Sequence, residues 1–232
     1  MSTYPGGKCG PGVYQRIINQ FPPHETYTEA FAGAGAVLRH KRPAGSTVAI
    51  DIDPDVLLEL RSLKPATPPG TQFINRSAVA VLSDPLRKWR PSDLIYCDPP
   101  YPYVSRAGAG RQIYRHEFGE LSEHAQLLRI LSSLPATLAI SSYPNDLYDQ
   151  MLLGWRKIEY RAMTRGGTAR TEVLWLNYPE PAELHEYTYL GANKRQREVI
   201  KRRILRWRRR LANMSALDRL AMLAALRDVD GR

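Results

Sequence analysis

The chain has 232 residues, 43% of them hydrophobic, and a formal net charge of +10, which suits one sizeable α/β core with an appended element. No apolar run reaches the roughly 18 residues of a membrane span, and Met1 to Pro5 lack the basic-then-apolar start of a secretory signal, so a cytoplasmic protein is expected. Cys9 and Cys97 suggest neither a disulfide framework nor a zinc site, and the scattered His24, His40, His116, His124 and His185 show no metal-ligand spacing.

Residues 26–178 alternate short β-like runs with helical patterns, which predicts a mostly parallel sheet wrapped by helices. Strands are expected at Thr26–Phe31, Thr47–Asp51, Gln72–Asn75, Asp93–Asp98, Thr137–Ser141, Lys157–Met163 and Thr171–Asn177. Helices are expected near Ala34–Lys41, Pro54–Leu63, Ala78–Trp89, Ser122–Ser133 and Asn145–Leu152. Thr164–Arg170, with Gly166-Gly167, is too short for a helical crossover, so the last two strands should be antiparallel. Pro179–Glu183 reads as a linker and divides the chain into domains at 1–182 and 183–232. Two helices follow it. In the first, Ile200, Ile204, Trp207 and Leu211 form one apolar stripe. In the second, Ser215 is the expected cap with Asp218 three residues on, and Leu217, Leu220, Leu223, Ala224 and Leu226 give the apolar side. These stripes are expected to pack on each other or on the body.

Three constellations carry chemistry. Glu29-Ala30-Phe31-Ala32-Gly33-Ala34-Gly35 takes a strand into a helix, and its glycines allow a tight turn and close approach of a ligand to the backbone. Asp51 ends the next strand, 16 residues after Gly35, where an acid can accept hydrogen bonds from ribose hydroxyls. Asp53 better suits the cap of the helix that starts at Pro54. Asp98-Pro99-Pro100-Tyr101 follows an apolar strand. The exocyclic amine of adenine is a poor nucleophile because its lone pair is delocalised into the ring. The Asp98 carboxylate and the Pro99 carbonyl can bind both amine hydrogens and favour a pyramidal nitrogen. The two prolines stiffen the loop, and Tyr101 offers a ring for an extruded base. Read alone, the tetrapeptide is also a plain proline turn closing a strand.

The ordered set resembles the Dam-like class (DPPY motif, D12 type) of DNA adenine-N6 methyltransferases over residues 3–178. Tyr4-Pro5-Gly6-Gly7-Lys8 is similar to that family's N-terminal motif and Phe31–Gly35 to its cofactor loop. Asp51-Ile52-Asp53 is similar to its acidic strand end and Asp98–Tyr101 to its catalytic motif. Ile140–Tyr143 and Thr164–Tyr178 resemble the segments after it. The resemblance implies a Rossmann-like methyltransferase fold, S-adenosylmethionine as cofactor, adenine-containing double-stranded DNA as partner, and no metal. It implies Tyr4, Lys8, Phe31, Gly33, Gly35, Asp51 and Asp98 for the cofactor, and Asp98, Pro99, Pro100 and Tyr101 for catalysis. Without it, Lys8 reads as an ordinary surface cation and Tyr4 as an edge aromatic.

The chain departs from that family in one respect. Members that read a defined site carry a recognition region between the acidic strand end and the catalytic motif, and here those 47 residues are filled by two helices and a strand. Relaxed sequence specificity is therefore expected. Tyr103–His116 is the candidate replacement, with Tyr103, Arg106, Arg111 and Tyr114 suited to phosphate contact and stacking. Between Lys194 and Leu211 stand ten Lys or Arg and one Glu, +9 of the net +10. Such a segment suits a polyanion, with Arg202, Arg203, Arg206, Arg209 and Arg210 as the expected contacts. Methylation of adenine in RNA, or a catalytically silent nucleic-acid-binding module, fits the same residues.

Overall fold

The computed structural model describes residues 6–63, 66–106, 112–163 and 168–230. They form two compact units that divide after Tyr187.

The first unit is built on one seven-stranded sheet. Its strands are β1 (Thr26–Ala30), β2 (Ser46–Asp51), β3 (Gln72–Asn75), β4 (Asp93–Cys97), β5 (Thr137–Ser142), β6 (Arg156–Met163) and β7 (Ala169–Leu176). They lie in the order β3-β2-β1-β4-β5-β7-β6. β1 to β5 are parallel, and β7 runs antiparallel to both of its neighbours. This is the expected Rossmann-like α/β sheet. β1, β2 and β4 are buried along almost their whole length, as strands covered on both faces are. β6 alternates exposed and covered residues, as an edge strand with one open face does.

The sheet positions the site through its register. Ala30 of β1 pairs with Ile50 of β2 and with Cys97 of β4. The residues that follow, Phe31, Asp51 and Asp98, therefore emerge together at the carboxyl ends of three adjacent strands. The strand order reverses between β1 and β4, which is where open α/β sheets leave a ligand crevice.

Helices α1 (Val13–Ile18), α2 (Ala36–His40), α3 (Pro54–Ser62), α4 (Ala78–Leu82), α5 (Leu121–Ser133) and α6 (Asp146–Met151) flank the sheet. Asp53 caps α3 by accepting from the Asp55 N–H, with Pro54 at the first helical position. Glu120 and Glu123 form a capping box on α5, and the Asn145 side chain caps α6. α4 ends seven residues before the expected Trp89. Pro85 disfavours helical geometry at Asp84, whose carboxylate instead accepts from the Leu86 N–H. α1 was not expected at all. The core between sheet and helices centres on the fully buried Trp175 and Tyr148, whose rings lie 4.9 Å apart.

The boundary expected at 182/183 falls too early. His185 donates its N–H to the Phe21 carbonyl at 2.8 Å, its ring stacks on His24 at 3.8 Å, and Glu186 accepts from the Arg42 N–H at 2.7 Å. These contacts bind the chain to the body as far as Tyr187.

The second unit holds α7 (Lys194–Ala212) and α8 (Ala216–Asp230). Asn193 caps α7, and Ser215 accepts from the Asp218 N–H at 3.1 Å, as the sequence suggests. Within this unit the expected packing of the two stripes on each other is not found. α7 buries no residue, Trp207 is 49% exposed, and Leu217, Leu220, Leu223 and Leu226 are exposed by half or more. Both helices are capped at their N-termini, by Asn193 and Ser215. No helix among the described residues is long and apolar enough to cross a membrane.

Candidate active site

A cleft of about 440 Å³ opens at the carboxyl ends of β1, β2 and β4, a volume in the range that holds a drug-sized ligand. One wall is the turn after β1. Phe31 takes a left-handed conformation (φ 61°), unusual for a residue with a side chain, and Gly33 and Gly35 follow with φ 48° and 58°. At Gly35 a Cβ would also collide with the Leu60 side chain of α3, so glycine is required there twice over. Asp51 clamps the turn. Its two oxygens accept from the Gly33 and Asp53 N–H groups, each at 2.9 Å. Burial pushes its carboxyl up in pKa, against these two backbone bonds. Each oxygen keeps a lone pair for a ligand hydroxyl. Replacing Asp51 by Ala frees both N–H groups and removes that acceptor. The affinity for a ribose-bearing ligand in the cleft should weaken by about 1–3 kcal/mol, the cost of leaving buried polar groups unpaired. Calorimetry with unchanged affinity would refute this.

Glu29, at the end of β1, also lines the cleft, although the sequence reading gave it no role. It is buried, accepts from the Tyr27 hydroxyl at 2.7 Å, and has its pKa pushed by burial up to about 8. An acid placed directly before a glycine turn was the signal for it.

The segment 112–118 covers the cleft. Arg115 reaches across to Asp55 at 2.6 Å and to both oxygens of Asp53 at 3.3 Å. Glu117 accepts from the N–H groups of Ile113 and Tyr114. Its other oxygen pairs with Arg106 at 2.7 Å. Arg106 in turn donates to the Tyr101 carbonyl at 2.6 Å and lies over the rings of Tyr103 and Tyr114. The expectation that Arg106 is an open phosphate contact is thus corrected. Its guanidinium is turned inward and fastens the covering segment to the Asp98–Tyr101 loop. Tyr103 packs against Gly119 rather than in the cleft, whereas Tyr114 lines it.

At the far end of the cleft is a buried polar cluster. Lys8 is only 4% exposed and is no surface cation. Its ammonium lies 2.7 Å from Asp98 Oδ1 and donates to the Tyr101 hydroxyl at 2.8 Å. Burial opposes the Lys8 charge, but the carboxylates of Asp98 and Glu172 overcome it and hold the pKa above the ordinary lysine value. Burial pushes Asp98 up to about 6, with Lys8 pulling down and Glu172 pushing up. The Tyr101 ring meets Tyr143 edge-on at 4.6 Å, and Tyr96 bonds Ser141 beneath it. Glu172 of β7 and Tyr160 of β6 complete the cluster. Neither was expected, although an acid inside the apolar run Glu172–Leu176 was the available signal.

The cleft therefore brings together Lys8, Phe31, Gly33, Gly35, Asp51, Asp98, Pro99, Pro100, Tyr101 and Tyr114. Tyr4 and Arg111 lie outside the described residues. Arg202, Arg203, Arg206, Arg209 and Arg210 stand exposed on α7 of the second unit. Among the described residues no group of three or more His, Cys, Asp or Glu is placed to hold a metal ion.

No protein-family model matches the chain, and no curated protein matches it in sequence. Solved structures with some likeness include an S-adenosylmethionine-dependent methyltransferase from Agrobacterium tumefaciens, 13% identical over 71% of this chain and 60% of that one, with a TM-score of 0.44. An rRNA methylase from Streptococcus thermophilus is 15% identical over 72% of this chain and 94% of that one, at 0.43. The 23S rRNA methyltransferase ErmE is 13% identical over 81% of each chain, at 0.44. At such scores the likeness leaves the chemistry to the site residues themselves.

Proposed function

We propose that this protein transfers the methyl group of S-adenosylmethionine to the exocyclic amine of adenine in DNA. The observation that carries the reading is the placement of Asp98 at the junction of the glycine-turn cleft and the Lys8–Tyr101 cluster. The cleft fits the cofactor. Asp51 offers acceptors to a ribose, and the buried Glu29, which accepts from the Tyr27 hydroxyl, lines the same cleft. When bound, the cofactor supplies an electrophilic sulfonium methyl. The chain's own part is to hold the amine in line with it. Lys8 and Tyr101 occupy one oxygen of Asp98, which leaves Oδ2 and the Pro99 carbonyl for the two amine hydrogens. Pro99 and Pro100 keep both acceptors in place beforehand, so catalysis is positioning plus electrostatics.

Between Asp51 and Asp98 the chain holds α3, β3 and α4, and the described residues there form no separate recognition unit. This supports relaxed specificity. Transfer of labelled methyl groups to duplex DNA, single-stranded DNA and RNA, compared side by side, tests the substrate. A preference for RNA would replace the DNA reading, and no transfer to any of them would remove the enzyme reading.

The basic α7 supports a nucleic-acid partner. Contacts to phosphates release counterions, so affinity should fall with salt by roughly 0.9 in log–log slope per phosphate neutralised. Changing Arg202, Arg203, Arg206, Arg209 and Arg210 to Ala together should weaken binding to all sequences alike and flatten that slope by about four units. Cofactor affinity should stay as it was. An unchanged slope would assign the contacts to the first unit instead.

A further inference from the structure

A buried carboxylate, Glu172, and a partly buried one, Asp98, share one cation in the cluster. Lys8 Nζ lies 2.7 Å from Asp98 Oδ1 and 3.5 Å from Glu172 Oε2. The Tyr101 hydroxyl accepts from Lys8 and donates toward Glu172 at 3.0 Å, with Asp98 at 3.3 Å. The Tyr160 hydroxyl donates to the same Glu172 oxygen, also at 3.0 Å. Tyr160 and Glu172 are register partners across the β6–β7 pair.

This arrangement is poor as a purely structural device. Two carboxylates and one ammonium leave a negative charge uncompensated beside the cleft, where Lys8 and Glu172 are buried. Even balanced buried ion pairs are often matched or bettered by apolar residues of the same shape.

We propose that Glu172 is a positioning residue of methyl transfer, which holds the Tyr101 hydroxyl and the Lys8 ammonium from the hairpin side and so fixes the ring and the charge against which Asp98 works. This inference rests on the methyl-transfer reading above. The groups that face Asp98 come from every element around it. They are Lys8 from the N-terminal segment, Tyr101 from its own loop, Glu172 and Tyr160 from the hairpin, Tyr96 and Cys97 from β4, Tyr27 and Glu29 from β1, Tyr143 and Tyr148 from the stretch after β5, and Tyr114 from the covering segment. Lys8 makes Asp98 easier to ionise, and Glu172 makes it harder.

The charge of Glu172 can be removed with its shape kept. Glu172→Gln retains an oxygen that accepts from Tyr101 and Tyr160. The acid limb of single-turnover methyl transfer should then move to lower pH by about one unit, the size of a nearby like charge. Glu172→Ala removes the acceptor as well, and should lower turnover about tenfold through a loosened ring. Cofactor affinity should be unchanged in both, with thermal unfolding confirming that each is folded. A second readout needs no activity. The Asp98 carboxyl carbon, followed by NMR in the protein without substrate, should titrate at lower pH in Glu172→Gln. An active wild type whose acid limb and Asp98 titration are both unmoved by Glu172→Gln overturns the inference. A wild type that methylates neither DNA nor RNA, with the titration still moved, overturns the methyl-transfer reading and leaves only the electrostatic coupling.

Discussion

Replacing Asp98 by Ala should cut methyl transfer at least about 100-fold, the size seen when one preorganised transition-state contact is lost, while the cofactor still binds. On the proposed reading the amine needs its acceptor most when its nitrogen becomes pyramidal, so the loss belongs chiefly in turnover. The protein should tolerate the change. Lys8 keeps Glu172 at 3.5 Å and the Tyr101 hydroxyl at 2.8 Å, so its charge is not left unpartnered. Single-turnover assay with labelled cofactor, alongside calorimetry, measures both quantities. A variant that kept half its rate would remove Asp98 from the chemistry.

Lys8→Met should be the most damaging substitution in the cluster. Asp98 and Glu172 would then share the Tyr101 hydroxyl with no cation between them. Removing one partner of a buried pair costs about 3–5 kcal/mol. The sign with pH follows from the carboxyls. Without Lys8, which pulls it down, the Asp98 carboxyl is pushed further above its unfolded value. The folded variant therefore holds a proton that the unfolded chain gives up, and its deficit should grow as pH rises. Urea unfolding at pH 5.5 and pH 8 should show the larger loss at pH 8. For the same reason the acid limb of activity should climb above the value near 6 set by Asp98 in the intact cluster. Equal losses at the two pH values would mean that Lys8 does not hold the carboxylates in this way.

The sheet was legible because its parallel strands are covered on both faces. Runs such as Leu94-Ile95-Tyr96-Cys97 are apolar throughout and bounded by turn residues, and the expected edges lie within one or two residues of the observed ones. Helix α1 was not legible. Six residues between glycines and a proline-rich stretch are too short for a helical period to show. Within the site, Asp98 and Asp51 were legible because each ends an apolar strand where a ligand crevice forms. Glu172 and Tyr160 were not, because their role depends on which strand lies beside β5 and a motif carries no such information. A lysine in sequence reads as a surface cation, and only the fold shows that Lys8 is buried. Arg106 misleads for the converse reason, since its guanidinium is spent on Glu117 and the Tyr101 carbonyl.

The polar cluster also has a history within each molecule. Its members come from four places along the chain, with 93 residues between Lys8 and Tyr101 and 71 between Tyr101 and Glu172. Of the contacts that join separate elements, only Tyr160–Glu172, 12 residues apart, can form early within a hairpin. The others require the long loops to be closed first, at an entropy cost that near-neighbour contacts do not repay. Until then each charge stays hydrated and separate. A nascent or partly unfolded chain can own the β6–β7 ribbon and much of its helix content and still have nothing at which to hold an amine. Catalytic competence should therefore arrive in the last cooperative step of folding, together with the burial of Lys8. It would be an all-or-none property of the completed first unit.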